Sequence, residues 1–149
     1  MMAAPAPTVT IPSATRYLAR VRRFVDQQAT AAGLTERAVD EMRLAVDEAC
    51  ANAIEHAYGG RTDGTVEVTT EQTPSLFTVI IRHTGIPFDP SDYRPPDIAR
   101  SVHERRKGGF GVALMHRLVD TVEFRHHGET SEVCLVKRLN GNDGEAASA

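Results

Sequence analysis

The sequence predicts an α+β fold: a two-layer α/β sandwich with a mixed, mainly antiparallel sheet and its helices grouped on one face. Three observations predict it. Two long stretches place apolar residues at three- and four-residue spacing, the mark of amphipathic helices. Five short segments read as strands, and four of them follow one another in pairs joined by short turns, which gives antiparallel hairpins. The chain has 149 residues, of which 41% are hydrophobic, enough for one core and too many for general disorder.

The elements follow in order. Residues 1–8 (MMAAPAPT) are small and Pro-rich, so a flexible N-terminus is expected. Residues 9–11 form a short strand before Pro12. Ser13 is a candidate N-cap for a helix over 14 to about 32, with Leu18, Val21 and Val25 inward and Arg16, Arg20, Arg22 and Arg23 on another face. Gly33 suits its stop. Thr35 can cap a second helix running to about residue 58, whose apolar side holds Val39, Met42, Val46, Cys50, Ala53, Ile54 and Ala57. Residues 65–71 (TVEVTTE) alternate like a strand with one buried face, and 76–82 (LFTVIIR) form a more apolar, central strand. An irregular stretch from 83 to 109 has the length of a functional lid and carries Arg100, Arg105, Arg106 and Lys107. Residues 111–119 read as a helix, 121–126 and 132–138 as strands turning at Gly128, and 141–149 as a disordered tail. The folded domain is expected over 9–140.

Composition narrows the function classes. Seventeen Lys and Arg against 20 Asp and Glu give a net charge of −3, which argues against a whole-surface nucleic-acid binder. Two cysteines are too few for a disulfide scaffold or a Cys-based zinc site. No apolar run reaches the ~18 residues of a membrane span, and the first residues lack the pattern of a signal peptide. A cytoplasmic setting is therefore expected.

Three segments could carry chemistry. In DEACANAIEHAY, Glu48, Asn52 and His56 stand at i, i+4 and i+8, a polar stripe along one helix. A carboxylate there can accept a proton, and an amide oxygen one turn on is a hard ligand suited to Mg²⁺. On spacing alone the stripe fits a solvated helix face better. In HTGIPFDP, Gly85 lets the backbone turn or approach a ligand, and an ordinary strand-ending turn has the same look. In Lys107-Gly108-Gly109-Phe110-Gly111, glycines at a helix start expose N–H groups that can hold a polyphosphate. It is not a P-loop, since the Gly-Lys-Ser/Thr ending is absent, and a flexible hinge would read alike.

The order of these motifs resembles the GHKL ATPase superfamily, and DEACANAIEHAY, GIPFDP and GGFGVALMHRLVDTVEF are most similar to the bacterial anti-sigma factor serine kinases. The resemblance spans roughly residues 9–138. It implies ATP and Mg²⁺ as cofactors, Glu48 as general base and Asn52 as the Mg²⁺ ligand. His56, Gly85, Lys107, Gly108, Gly109, Phe110 and Gly111 become nucleotide-site positions, with Arg105 and Lys107 offsetting phosphate charge. Arg20 resembles a partner-contacting arginine. The implied partners are a sigma factor and a STAS-type antagonist, with no direct nucleic-acid or membrane contact. Dimerisation is common in the family, which leaves a homodimer open. One departure stands out: the family pattern ends the strand with Asp-x-Gly, its Asp accepting from the adenine amino group, and here that position is His83. The departure keeps alternatives open, a non-catalytic partner-binding switch on the same fold and a detached histidine-kinase catalytic domain.

Overall fold

The computed structural model describes residues 5–59, 61–84 and 109–139. Strand β1 (Thr8–Pro12) leads through a 3₁₀ turn (Thr15–Tyr17) into α1 (Leu18–Ala32) and α2 (Glu36–Asn52), which continues as a π turn (Ala53–Ala57). Then follow β2 (Thr65–Gln72), β3 (Leu76–His83), α3 (Gly109–Leu118), β4 (Thr121–His127) and β5 (Thr130–Arg138). Residues 85–108 of the predicted lid, including Gly85, Arg100, Arg105, Arg106, Lys107 and Gly108, lie outside the described residues, as does the predicted tail. The two ends of the lid are not irregular, since His83 closes β3 and Gly109 opens α3.

Local chemistry sets the helix boundaries. Gly33 takes φ 103°, open to glycine without strain, and ends α1. Thr35 caps α2, its Oγ1 accepting from Ala38 N at 3.1 Å. Ser13 is not the cap it was predicted to be. Its hydroxyl donates to Arg61 O and accepts from Gly64 N at 3.2 Å, so a tertiary contact has claimed it. The first turn is 3₁₀ instead, without a side-chain cap.

The strands pair in the order β1-β2-β3-β5-β4. All four pairings among the described residues are antiparallel, so this sheet is purely rather than mainly so. β3, the most apolar segment, is central as predicted. Pairing begins slightly earlier than expected, at Thr8, with Thr70 N donating to Pro7 O.

Alternation sends Val66 and Val68, Phe77, Val79 and Ile81, and Val133 and Leu135 into a core shared with all three helices. Cys50 is part of it, and burial pushes its thiol up to about 12, which makes it packing rather than a nucleophile. The opposite sheet face carries a row in register, Glu67, Arg82, Glu132 and Arg125. Arg82 there bridges Glu67 at 3.1 Å and Glu132 at 2.6 Å. Among the described residues no helix is long and apolar enough to cross a membrane.

Candidate functional site

The site is built where the end of α2, the start of α3 and the end of β3 converge. Ion pairs hold α2 on both sides. Arg22 on α1 binds both oxygens of Asp47 at 3.0 and 2.9 Å, Arg43 binds Asp26 at 2.8 Å, and Lys137 on β5 binds Glu41 at 2.8 Å. Arg22 is thereby removed from the free basic face predicted for α1. Arg16 and Arg20 remain exposed and lie over the Tyr17 ring, 4.9 and 5.2 Å from its centroid.

Glu48 is half-buried on α2. Burial raises its carboxyl above the ordinary range, and the neighbouring Asp47 and Glu55 charges push the same way. Across from it stands Gly111 in the first turn of α3. A Cβ at Gly111 would run into Glu48 Oε1 and lie 3.4 Å from Cδ. The missing side chain is what lets the helix start and the carboxylate touch. The two motifs, 63 residues apart, thus meet directly, with Val112 and Met115 of α3 buried behind the contact. Gly109 and Phe110 open α3 by their backbone; the side chains of Phe110 and His56 fall outside the described residues.

Asn52 is half-buried one helical turn beyond Glu48, as the spacing predicted. The stripe does not continue as an α-helix. Tyr58 N donates to Ala53 O, five residues back, at 3.3 Å, and residues 53–57 form a π turn. The predicted i+8 relation of His56 to Glu48 presupposed unbroken α geometry, and the wider turn replaces it.

The π turn delivers Tyr58 to the end of β3. Its hydroxyl donates to Thr65 O at 2.8 Å and accepts from Thr84 N at 3.1 Å. Its ring meets the His83 ring edge-on, centroids 6.2 Å apart and planes at 71°. Nothing in the local sequence marks Tyr58 as a site residue; the strand register is what brings it there. Thr84, exposed, is committed to Tyr58 through its backbone N–H.

His83 alternates with Val79 and Ile81 and so faces the helix layer. It is only 5% exposed, and its Nδ1 has no hydrogen-bond partner among the described residues. An orphan of this kind costs about 1–3 kcal/mol. Burial lowers its pKa, and His126 adds to the effect, so the ring is neutral at pH 7. Ser131, opposite His83 in the β3–β5 register, is engaged elsewhere, its Oγ 3.1 Å from His126 Nδ1. His126 itself is exposed.

These features fit a nucleotide. The glycine cradle at the N-terminus of α3 suits phosphate, Asn52 offers a hard oxygen for Mg²⁺, and His83 Nδ1, without a partner among the described residues, is a buried polar atom that a base could satisfy. Among the described residues no group of three or more His, Cys, Asp or Glu stands together as a metal site.

Comparisons with known proteins agree. Residues 11–137 match the family model described as histidine kinase-like ATPase domain. Serine-protein kinase RsbW of Bacillus subtilis is 30% identical over 135 residues, covering 88% of this chain and 84% of the relative. That of Listeria monocytogenes serovar 1/2a is 27% identical over 137 residues, covering 89% and 87%. Among solved structures, the RsbU and RsbW domains of a Mycobacterium tuberculosis protein align with a TM-score of 0.62 at 18% identity, over 91% of this chain and 33% of that one. This chain therefore spans about a third of that longer protein. The histidine kinase domain of an Erythrobacter litoralis blue-light activated kinase aligns with a TM-score of 0.58 at 16% identity, over 99% and 70%. These two structures share the fold. By the domain match and the extent of its similarity to the Bacillus proteins, the chain belongs to the histidine kinase-like ATPase family and, within it, to the RsbW serine-protein kinases.

Proposed function

We propose that the protein is an ATP-dependent protein serine kinase acting as an anti-sigma factor in the cytoplasm: it holds a sigma factor and phosphorylates a serine on a STAS-type antagonist. The observation that carries this reading is the seating of Glu48 against Gly111, which joins a candidate base to a phosphate-binding helix start. The name of the Bacillus relatives, serine-protein kinase, supports the same chemistry here.

Phosphoryl transfer asks a protein mainly for positioning and charge stabilisation. Glu48 accepts the proton of the attacking serine hydroxyl, and its raised pKa makes it a better base near neutral pH. The serine Oγ bonds to the γ-phosphorus while the bond to the β–γ bridging oxygen breaks, and ADP leaves with that electron pair. The N–H groups opening α3 take the phosphate charge. Asn52 Oδ1 would hold Mg²⁺, which when bound neutralises phosphate charge. Lys107 and Arg105, outside the described residues, are assigned the same task from the lid. Exposed Arg20 is the assigned partner contact.

Calorimetric titration with ATP·Mg²⁺ tests the reading, together with transfer of labelled γ-phosphate to purified STAS-domain proteins of the same organism. One nucleotide per chain and an acid-stable phosphoserine are expected. No binding at millimolar nucleotide removes the kinase, and an acid-labile product moves the chemistry to histidine. Asn52→Ala is expected to weaken ATP·Mg²⁺ binding about 10- to 100-fold, with metal-free ADP little affected in the same calorimeter. Gly111→Ala separates stability from function. The atom in its way is the tip of a flexible side chain, and Ala favours the helix by about 1 kcal/mol over Gly. Thermal stability is expected to stay within about 1 kcal/mol of wild type. Phosphorylation is expected to fall about 100-fold, because the displaced carboxylate misses its target.

His83 in place of an acceptor carboxylate favours a second reading, a partner-binding switch without turnover. If Glu48→Ala still regulates the partner normally, that reading replaces the first.

A further inference from the structure

Among the described residues His83 Nδ1 is buried with no partner, at the end of the central strand, on the face turned toward the helices. The nearby hydroxyls are already used: Tyr58 by Thr65 O and Thr84 N, Ser131 by His126. A native structure rarely leaves such an atom alone without a use for it. A neutral imidazole carries one donor and one acceptor nitrogen, and the tautomer decides which is which. Nδ1 can therefore accept from an amino group or, after a tautomer change, donate to a carbonyl oxygen. A carboxylate in the same place only accepts. Adenine presents an amino group at its six position; guanine and hypoxanthine present an oxygen there.

We infer that His83 reads the six-position of the purine and opens this site to 6-oxopurine triphosphates, GTP and ITP, as well as ATP. This rests on the nucleotide-binding reading above. The Tyr58 ring standing edge-on to His83 limits the imidazole's tilt, so the choice between purines falls to the tautomer rather than to movement of the ring.

The test measures the dissociation constants of ATP·Mg²⁺, GTP·Mg²⁺ and ITP·Mg²⁺ for the full chain by calorimetry, alongside ¹⁵N imidazole NMR. Wild type is expected to bind the three within roughly tenfold of one another. His83→Asp is expected to shift the ratio toward ATP by roughly 10- to 100-fold, because its carboxylate repels the six-oxygen. His83→Asn, whose amide can accept or donate by flipping, is expected to keep the wild-type ratio and serves where a buried Asp fails to fold. The His83 ¹⁵N resonances are expected to move with either purine. An unchanged ratio in His83→Asp, or resonances that ignore bound nucleotide, overturns the inference while leaving nucleotide binding intact. ATP binding by His83→Asp alone also overturns it, since His83 then blocks the site. If no variant binds any purine, the nucleotide reading itself fails.

Discussion

Glu48→Gln is expected to lower serine phosphorylation about 10²- to 10⁴-fold, the usual contribution of a positioned general base. The substitution keeps the shape of the side chain beside Gly111 and removes only the capacity to take a proton. Nucleotide affinity is expected to change little in a calorimetric titration, so the loss falls on kcat. Stability is expected to hold or rise slightly at neutral pH. The sign follows from linkage: a carboxyl whose pKa is raised on folding is favoured when protonated, and that advantage is lost as pH climbs through the folded value. At pH 7 the wild-type protein bears the cost of the buried charge, and the amide does not. The rate of the wild type is expected to rise with pH through an acidic limb lying above the ordinary carboxylate range, and this limb is expected to vanish in the variant. A variant that retains wild-type turnover, or an unaltered limb, would place the base elsewhere.

Gly64→Ala is expected to cost about 1–3 kcal/mol of stability, the range for overpacking a filled site. A Cβ at Gly64 would lie 2.7 Å from Cδ1 and Cζ of the Tyr58 ring. That ring cannot step aside cheaply. It is 5% exposed, and its hydroxyl is held by Thr65 O and Thr84 N. Gly64 cannot retreat either, because Ser13 N donates to its carbonyl at 3.0 Å and Ser13 Oγ accepts from its N–H. Denaturant unfolding monitored by circular dichroism measures the loss. A midpoint unchanged from wild type would mean the corner is slack.

The sequence disclosed what depends on neighbours a few residues away. The Gly33 stop, the Thr35 cap and the apolar run that makes β3 central each rest on local chemistry, and each is found in place. The Glu48–Asn52 spacing was legible for the same reason. Features decided by distant partners were not. Ser13 has the chemistry of a cap, but Arg61 and Gly64, about fifty residues on, take its hydroxyl. The π turn at 53–57 breaks a pattern that reads as plain α-helix, because what it achieves, delivering Tyr58 to His83, depends on a strand still to come. The Glu48–Gly111 contact joins positions that only the packing of α3 on α2 relates. His83 was visible as an odd residue, and its orphaned nitrogen was not.

The corner around Tyr58 has one further consequence. A single phenolic oxygen ties together residues 58, 65 and 84, and the short connection between the π turn and β2 is pegged at Arg61 and Gly64 by Ser13. The conformational entropy of this wall is surrendered when the chain folds. A ligand that settles against it has little left to freeze there, so more of its contact energy appears as affinity.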